Sequence, residues 1–129
     1  NSITASSEFI AHREVVGRTG RNAILHGHPK FSVIMSMHCR RDNCECLGRC
    51  HLKCPEMRKV GDIPIVPGEV GTGPTGLCNT MPAALEGGRG VIVYGHGLFT
   101  ASENDFTGAF TDLTDIENMC RDQYFKLAI

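Results

Sequence analysis

Two short apolar runs in this chain each stop at a histidine beside glycine. The first reads Ala23-Ile24-Leu25-His26-Gly27-His28-Pro29 and the second Val91-Ile92-Val93-Tyr94-Gly95-His96-Gly97. Side chains at i and i+2 of a strand point to the same face. His26 and His28 can therefore grip one ion together, and a strand-end histidine from elsewhere, His96, can complete the set. Three neutral imidazoles with one coordination position left open is how a catalytic zinc is usually held. An H-x-H pair alone is a weak signal, because two surface or hydrogen-bonded histidines at a strand end read the same way.

A chain of 129 residues fits one domain, 1–129, and can bury a core. With 41% hydrophobic and 21% charged residues it is ordinary for a globular protein. A net charge of −1 gives no electrostatic case for nucleic acid or an anionic membrane as partner. Aromatics are 6% with no Trp, which also argues against base-stacking surfaces. The apolar runs are too short to span a bilayer. The first residues, Asn1-Ser2-Ile3-Thr4, lack the basic and apolar regions of an export signal.

Helices and strands alternate along the chain, which implies α/β layers. Ser6 or Ser7 can cap a helix running to about residue 18, with Glu8 in its first turn, Phe9, Val15 and Val16 as a buried stripe, and Gly17 and Gly20 as its end. Residues 22–28 read as a short buried strand. Pro29 suits the first turn of a helix over about 30–39, with Phe31, Val33, Ile34, Met35 and Met37 as its apolar residues. Residues 63–67 carry two prolines and read as an edge strand. A glycine-rich loop at 68–76 leads to a helix at 77–85 and a buried strand at 90–94, beside which 98–101 can pair. Residues 105–127 form a long helix in which Phe106, Ala109, Phe110, Leu113, Ile116 and Met119 have helical spacing.

Seven cysteines are many for this length, and an odd count leaves one unpaired in any disulfide scheme. With no export signal, this favours a reducing cytoplasm and metal binding over a disulfide scaffold. Five of them, Cys39, Cys44, Cys46, Cys50 and Cys54, give C-x4-C-x-C-x3-C-x3-C in an irregular segment at about 39–59. Four thiolates would suit a second, structural zinc or an iron–sulfur cluster. The spacing matches neither the paired C-x2-C zinc pattern nor the common ferredoxin patterns, so reduced cysteines in a long loop, or a redox disulfide, stand beside those readings. Cys78 and Cys120 fall on helices and read as core residues.

Ser6-Ser7-Glu8-Phe9, then His12, then His26-Gly27-His28-Pro29, Val66-Pro67-Gly68 and Gly95-His96-Gly97 resemble the class II aldolase/adducin family over nearly the whole chain. The resemblance implies a three-layer α/β/α domain with a mixed, largely antiparallel sheet. It implies that the N-terminal part of the family domain, which carries phosphate-binding loops, is missing, and that 39–59 is a cysteine-rich insertion. It further implies that His26, His28 and His96 bind the divalent metal, zinc first and other divalent ions next, and that Glu8 acts as acid/base. The metal would act as a Lewis acid on a ketose phosphate, stabilising the enediolate left when the carbon–carbon bond breaks. Family members are commonly tetramers, so a homo-oligomer is expected. Glu8 alone would read as a first-turn carboxylate against the helix dipole. His12 is not assigned to metal.

The leading expectation is thus a metal-dependent aldolase-type lyase acting on a phosphorylated sugar. A dehydratase with the same metal and glutamate is the second enzyme reading. Glutamate after the two serines, where the epimerase branch carries aspartate, points away from epimerisation. A non-catalytic metal- or cysteine-cluster-binding module is the third. Presence of all three histidines and the glutamate counts against the cytoskeletal, adducin-like branch.

Overall fold

A computed structural model describes residues 7–38, 58–68, 76–103 and 105–127, with the backbone alone for 7–9. In chain order the elements are α1 (Ser7–Thr19), β1 (Ala23–Gly27), α2 (Lys30–Met37), β2 (Lys59–Val60), β3 (Ile63–Val66), α3 (Leu77–Leu85), β4 (Gly90–Val93), β5 (Gly97–Ser102) and α4 (Phe106–Leu127). Cys39, Cys44, Cys46, Cys50 and Cys54 lie outside the described residues, as do 69–75 of the glycine-rich loop.

Val91, Ile92 and Val93 are apolar at consecutive positions, the pattern of a strand covered on both faces, and all three are fully buried. The strands form one sheet in the order β1-β5-β4-β3-β2, with β3 and β4 parallel and the other neighbours antiparallel. The two-residue alternation of strand side chains sorts the core into two halves. Val91, Val93, Phe99 and Ala101 pack against Ala11 and Val15 of α1 and Leu77, Met81 and Leu85 of α3. Ile92 and Leu98 point the other way, onto Met35 of α2 and Ile116 and Cys120 of α4. The fold is therefore α/β/α with a mixed, largely antiparallel sheet. Among the described residues no helix is long and apolar enough to cross a membrane.

The structure corrects several sequence expectations. Gly17 lies inside α1, and Gly20, with φ +72, ends the helix. The strand at 22–28 is the sheet's edge strand, with Ala23 alone fully buried. Conversely, β3 is paired on both sides. Pro64 is tolerated because the Ile65 N–H donates towards β2, to Arg58 O at 2.9 Å, while the register with β4 starts only at Ile65. The missing Pro64 donor would point at β4 one residue before that ladder begins. On α4 the buried stripe is Ala109, Ile116 and Cys120. Phe110 is one residue, about 100°, off that line, and Phe106 and Phe110 are 61% and 60% exposed. On α2 the buried residues are Ser32, Met35 and Ser36, and the apolar Ile34 and Met37 face solvent.

Candidate metal centre

The edge position of β1 determines where its histidines go. In the antiparallel register with β5, His26 sits opposite Phe99 and Gly27 opposite Leu98. The chain leaves the sheet after Gly27, so His28 projects from the strand end. His96 arrives from the other side of β5. β4 and β5 are joined by the turn Tyr94-Gly95-His96, closed by the His96 N–H donating to Val93 O at 2.9 Å. Gly95 takes φ +64 in this turn, a conformation that suits glycine. The two histidine-ended runs therefore meet because β5 pairs with both β1 and β4.

Gly97 explains how the three rings fit. A Cβ at this position would fall 2.4 Å from Gly27 O, 2.7 Å from His28 Cδ2 and 3.2 Å from His26 Nε2. Backbone cannot give way at the first of these contacts, so glycine is required where β5 begins. The donor atoms of His26, His28 and His96 all lie within 4.8 Å of one another. With metal–nitrogen bonds of about 2.0–2.1 Å, a tetrahedral ion sets its nitrogens roughly 3.3 Å apart. The trio is gathered to near that spacing, and three imidazoles are a donor set suited to zinc and its neighbours. The residues present therefore fit a divalent metal. His28 is exposed, and His26 and His96 are half-buried, so the trio opens to solvent on the His28 side.

Beneath the trio lies Phe99, fully buried. Its ring stacks on that of His26 with centroids 3.9 Å apart and planes 18° apart. The His96 ring lies 5.1 Å from that of His26 and 6.4 Å from that of Phe99, at 19° to each. His12 of α1 meets Phe99 edge-on at 5.8 Å. Glu8 lies on α1 one helical turn before His12. The helix that carries Glu8 thus covers the same face of the sheet as His26. His12 stays outside the metal-donor trio.

Three positions were not legible as part of the site. The apolar patterns of the sequence single out neither Ser32 nor Ser36, yet both are fully buried. Ser36 Oγ accepts the Gly95 N–H at 2.8 Å and donates to Val33 O at 2.6 Å. Glu117 of α4 accepts the N–H groups of Phe31 and Ser32 and the Ser32 hydroxyl, at 3.0, 2.8 and 2.8 Å. An S-x3-S spacing on a helix with few other polar residues is the one sequence signal that could have drawn attention to the serines. Cys120 lies in the core nearby, and burial pushes its thiol up, the opposite of an activated cysteine.

The profile of the Class II Aldolase and Adducin N-terminal domain matches residues 1–124, and the chain belongs to that family. Among solved structures, it is similar to an l-fuculose-1-phosphate aldolase from Thermus thermophilus, with a TM-score of 0.69 and 24% sequence identity. That match covers 99% of this chain and 66% of the aldolase chain, so the present chain spans just under two thirds of its structural relative. A comparison with curated proteins by sequence gives no match.

Proposed function

We propose that this chain is a metal-dependent aldolase-type lyase that cleaves or forms a carbon–carbon bond in a phosphorylated sugar. The observation that carries the reading is the convergence of His26, His28 and His96, donor atoms within 4.8 Å of one another, in a member of the class II aldolase/adducin family. These three residues would hold the ion, zinc first and another divalent transition metal next. When bound, such an ion supplies Lewis-acid stabilisation of the negative charge that develops on the substrate oxygen.

The chain's own residues then divide the remaining work. His26 is held in orientation by the Phe99 stack. The exposed His28 borders the side from which substrate enters. Glu8, on the helix covering the same face, takes a proton from the donor carbon in the condensation direction and returns it on cleavage. The solved relative acts on l-fuculose-1-phosphate by its name, which makes phosphorylated ketoses the first substrates to try. On this reading the enzyme works in the cytoplasm as a homo-oligomer, a tetramer by family resemblance. Four thiolates drawn from Cys39, Cys44, Cys46, Cys50 and Cys54 would suffice for a second zinc or an iron–sulfur cluster.

The test is metal content of chain purified without air or chelator, followed by a ketose-phosphate panel scored for aldehyde release. One divalent ion per chain that is lost in His26→Ala/His96→Ala, together with aldehyde release, supports the proposal. Loss of water from the substrate without cleavage replaces the lyase reading by the dehydratase one. A native chain that holds no such ion overturns both.

A further inference from the structure

Ser32 and Ser36 stand one helical turn apart on α2, both 0% exposed, and they serve opposite ends of the histidine trio. A buried hydroxyl is costly unless it is hydrogen-bonded, and serine is an indifferent helix former. Neither residue is explained by the helix that contains it.

At the first end, the α2 N-terminus has orphan N–H groups to satisfy, and its N-cap, Pro29, makes no side-chain cap. Glu117 reaches across from α4 and takes that role. One carboxylate oxygen accepts the Ser32 N–H and hydroxyl, each at 2.8 Å, and the other accepts the Phe31 N–H at 3.0 Å. Pro29 directly follows His28, so the anchored turn fixes the chain at the point where His28 leaves β1. At the other end, Ser36 Oγ accepts the Gly95 N–H at 2.8 Å, and Gly95 directly precedes His96. Its own proton goes to Val33 O at 2.6 Å, which leaves its lone pairs directed at the turn. Between the two serines lies one rigid turn, about 6 Å of rise.

We infer that α2 is a brace that sets the separation of His28 and His96, with Glu117–Ser32 and Ser36–Gly95 as its two fastenings. All three side chains are positioning residues; none touches the donor atoms. The inference rests on the proposal that the histidines hold a metal. Gly95 itself is exposed and its hydrogen bond to Ser36 is only partly buried, so the turn can rearrange once the Ser36 hydroxyl is removed. The turn is then released and the fold is retained. The loss should therefore appear in metal binding and act through His96.

A cobalt titration of the full metal-free chain tests this, using the visible absorption of bound Co2+ as a report on the ligand set. Ser36→Ala should weaken Co2+ binding on the order of tenfold and shift the absorption band, with the unfolding midpoint of the metal-free chain nearly unchanged. In a His96→Ala background the same substitution should change nothing, because its effect runs through the missing ligand. Glu117→Gln should repeat the pattern through His28, weakening binding in the parent chain and not in His28→Ala. This also covers a Ser36 variant that fails to fold. Equal losses with and without the relevant histidine, or no loss in the parent, overturn the brace and leave the metal proposal standing. A parent chain that binds no Co2+ overturns the metal proposal, and the brace falls with it.

Discussion

His26 and Phe99 are directly paired across β1 and β5, with ring planes 18° apart and centroids 3.9 Å apart. A proposed ligand is thereby stacked on a fully buried core residue, and packing of the α1/α3 half of the core and orientation of His26 are one problem. Phe99→Ala should cost about 3–5 kcal/mol, the transfer and cavity terms of a large buried aromatic, read by denaturant unfolding of the metal-free chain. Phe99→Leu should lose less stability, yet should still weaken zinc binding, since a branched aliphatic gives no flat surface for the imidazole. Unchanged zinc affinity in Phe99→Leu would reduce Phe99 to a filler of space.

Gly97 gives a sharper prediction, because its neighbours include backbone. A methyl group there would sit 2.4 Å from Gly27 O as well as against both His26 and His28. Gly97→Ala should push β1 away from β5 at its histidine end and abolish stoichiometric metal binding. Its cost to stability should resemble other overpacked sites, about 1–3 kcal/mol. By contrast, a Cβ at Gly27 meets nothing closer than Leu113 Cδ1 at 3.5 Å, so Gly27→Ala should bind metal nearly as the parent does. Equal metal affinity in the two variants, measured by competition with a chelating dye, would count against the close-approach argument.

These contrasts show what the sequence could and could not disclose. The histidine trio was legible because each member ends an apolar strand-like run beside glycine, a local pattern that needs no knowledge of the partner strand. Helix α3 was legible for a similar reason, its apolar residues being bounded by Gly76 and by the Glu86-Gly87-Gly88 turn. The faces of α2 and α4 were not. Hydrophobicity places Ile34, Met37, Phe106 and Phe110 inside, and the structure has them exposed. It does not single out Ser32 and Ser36, each of which is buried on a partner more than fifty residues away in sequence, Glu117 or Gly95. Such partners are invisible to a reading by local periodicity. The same limit made β3 look like an edge, since the strand β2 that covers it is two residues long and too short to show a period.

Surface charge should matter little to stability. Arg89 donates to Asp62 from Nε at 3.2 Å and from Nη2 at 3.1 Å, and both side chains are substantially exposed. The Arg89 hydrogen bond holds the Asp62 carboxyl below its ordinary 3.8. A carboxyl lowered in the folded state stabilises above its unfolded pKa, and that contribution fades as pH falls through the folded value. The pair should therefore contribute its full effect at neutral pH and lose it only below about 3.8. For an exposed pair that effect is about 0–1 kcal/mol. Arg89→Ala should shift the unfolding free energy at pH 7 by no more than this, and by progressively less as pH falls through the lowered Asp62 value. A larger shift would mean that Arg89 does something besides pair with Asp62.

Glu8 separates proton transfer from metal binding. If His26, His28 and His96 suffice as ligands, Glu8→Gln keeps the ion, because the substitution alters neither the trio nor Phe99 beneath it. What glutamine cannot do is accept and return a proton. A positioned general base contributes typically 10²–10⁴-fold, and Glu8→Gln should lose about that much turnover while zinc content stays at the parent level. The cleanest readout avoids the second substrate. In D2O, a donor ketone phosphate supplied without aldehyde should exchange its reactive C–H for deuterium in the parent chain, and that exchange should fall by the same factor as turnover in Glu8→Gln. Exchange that survives while turnover is lost would move Glu8 from the proton-transfer step to a later one. Loss of both zinc and exchange would make Glu8 a ligand first and a base only after substrate displaces it.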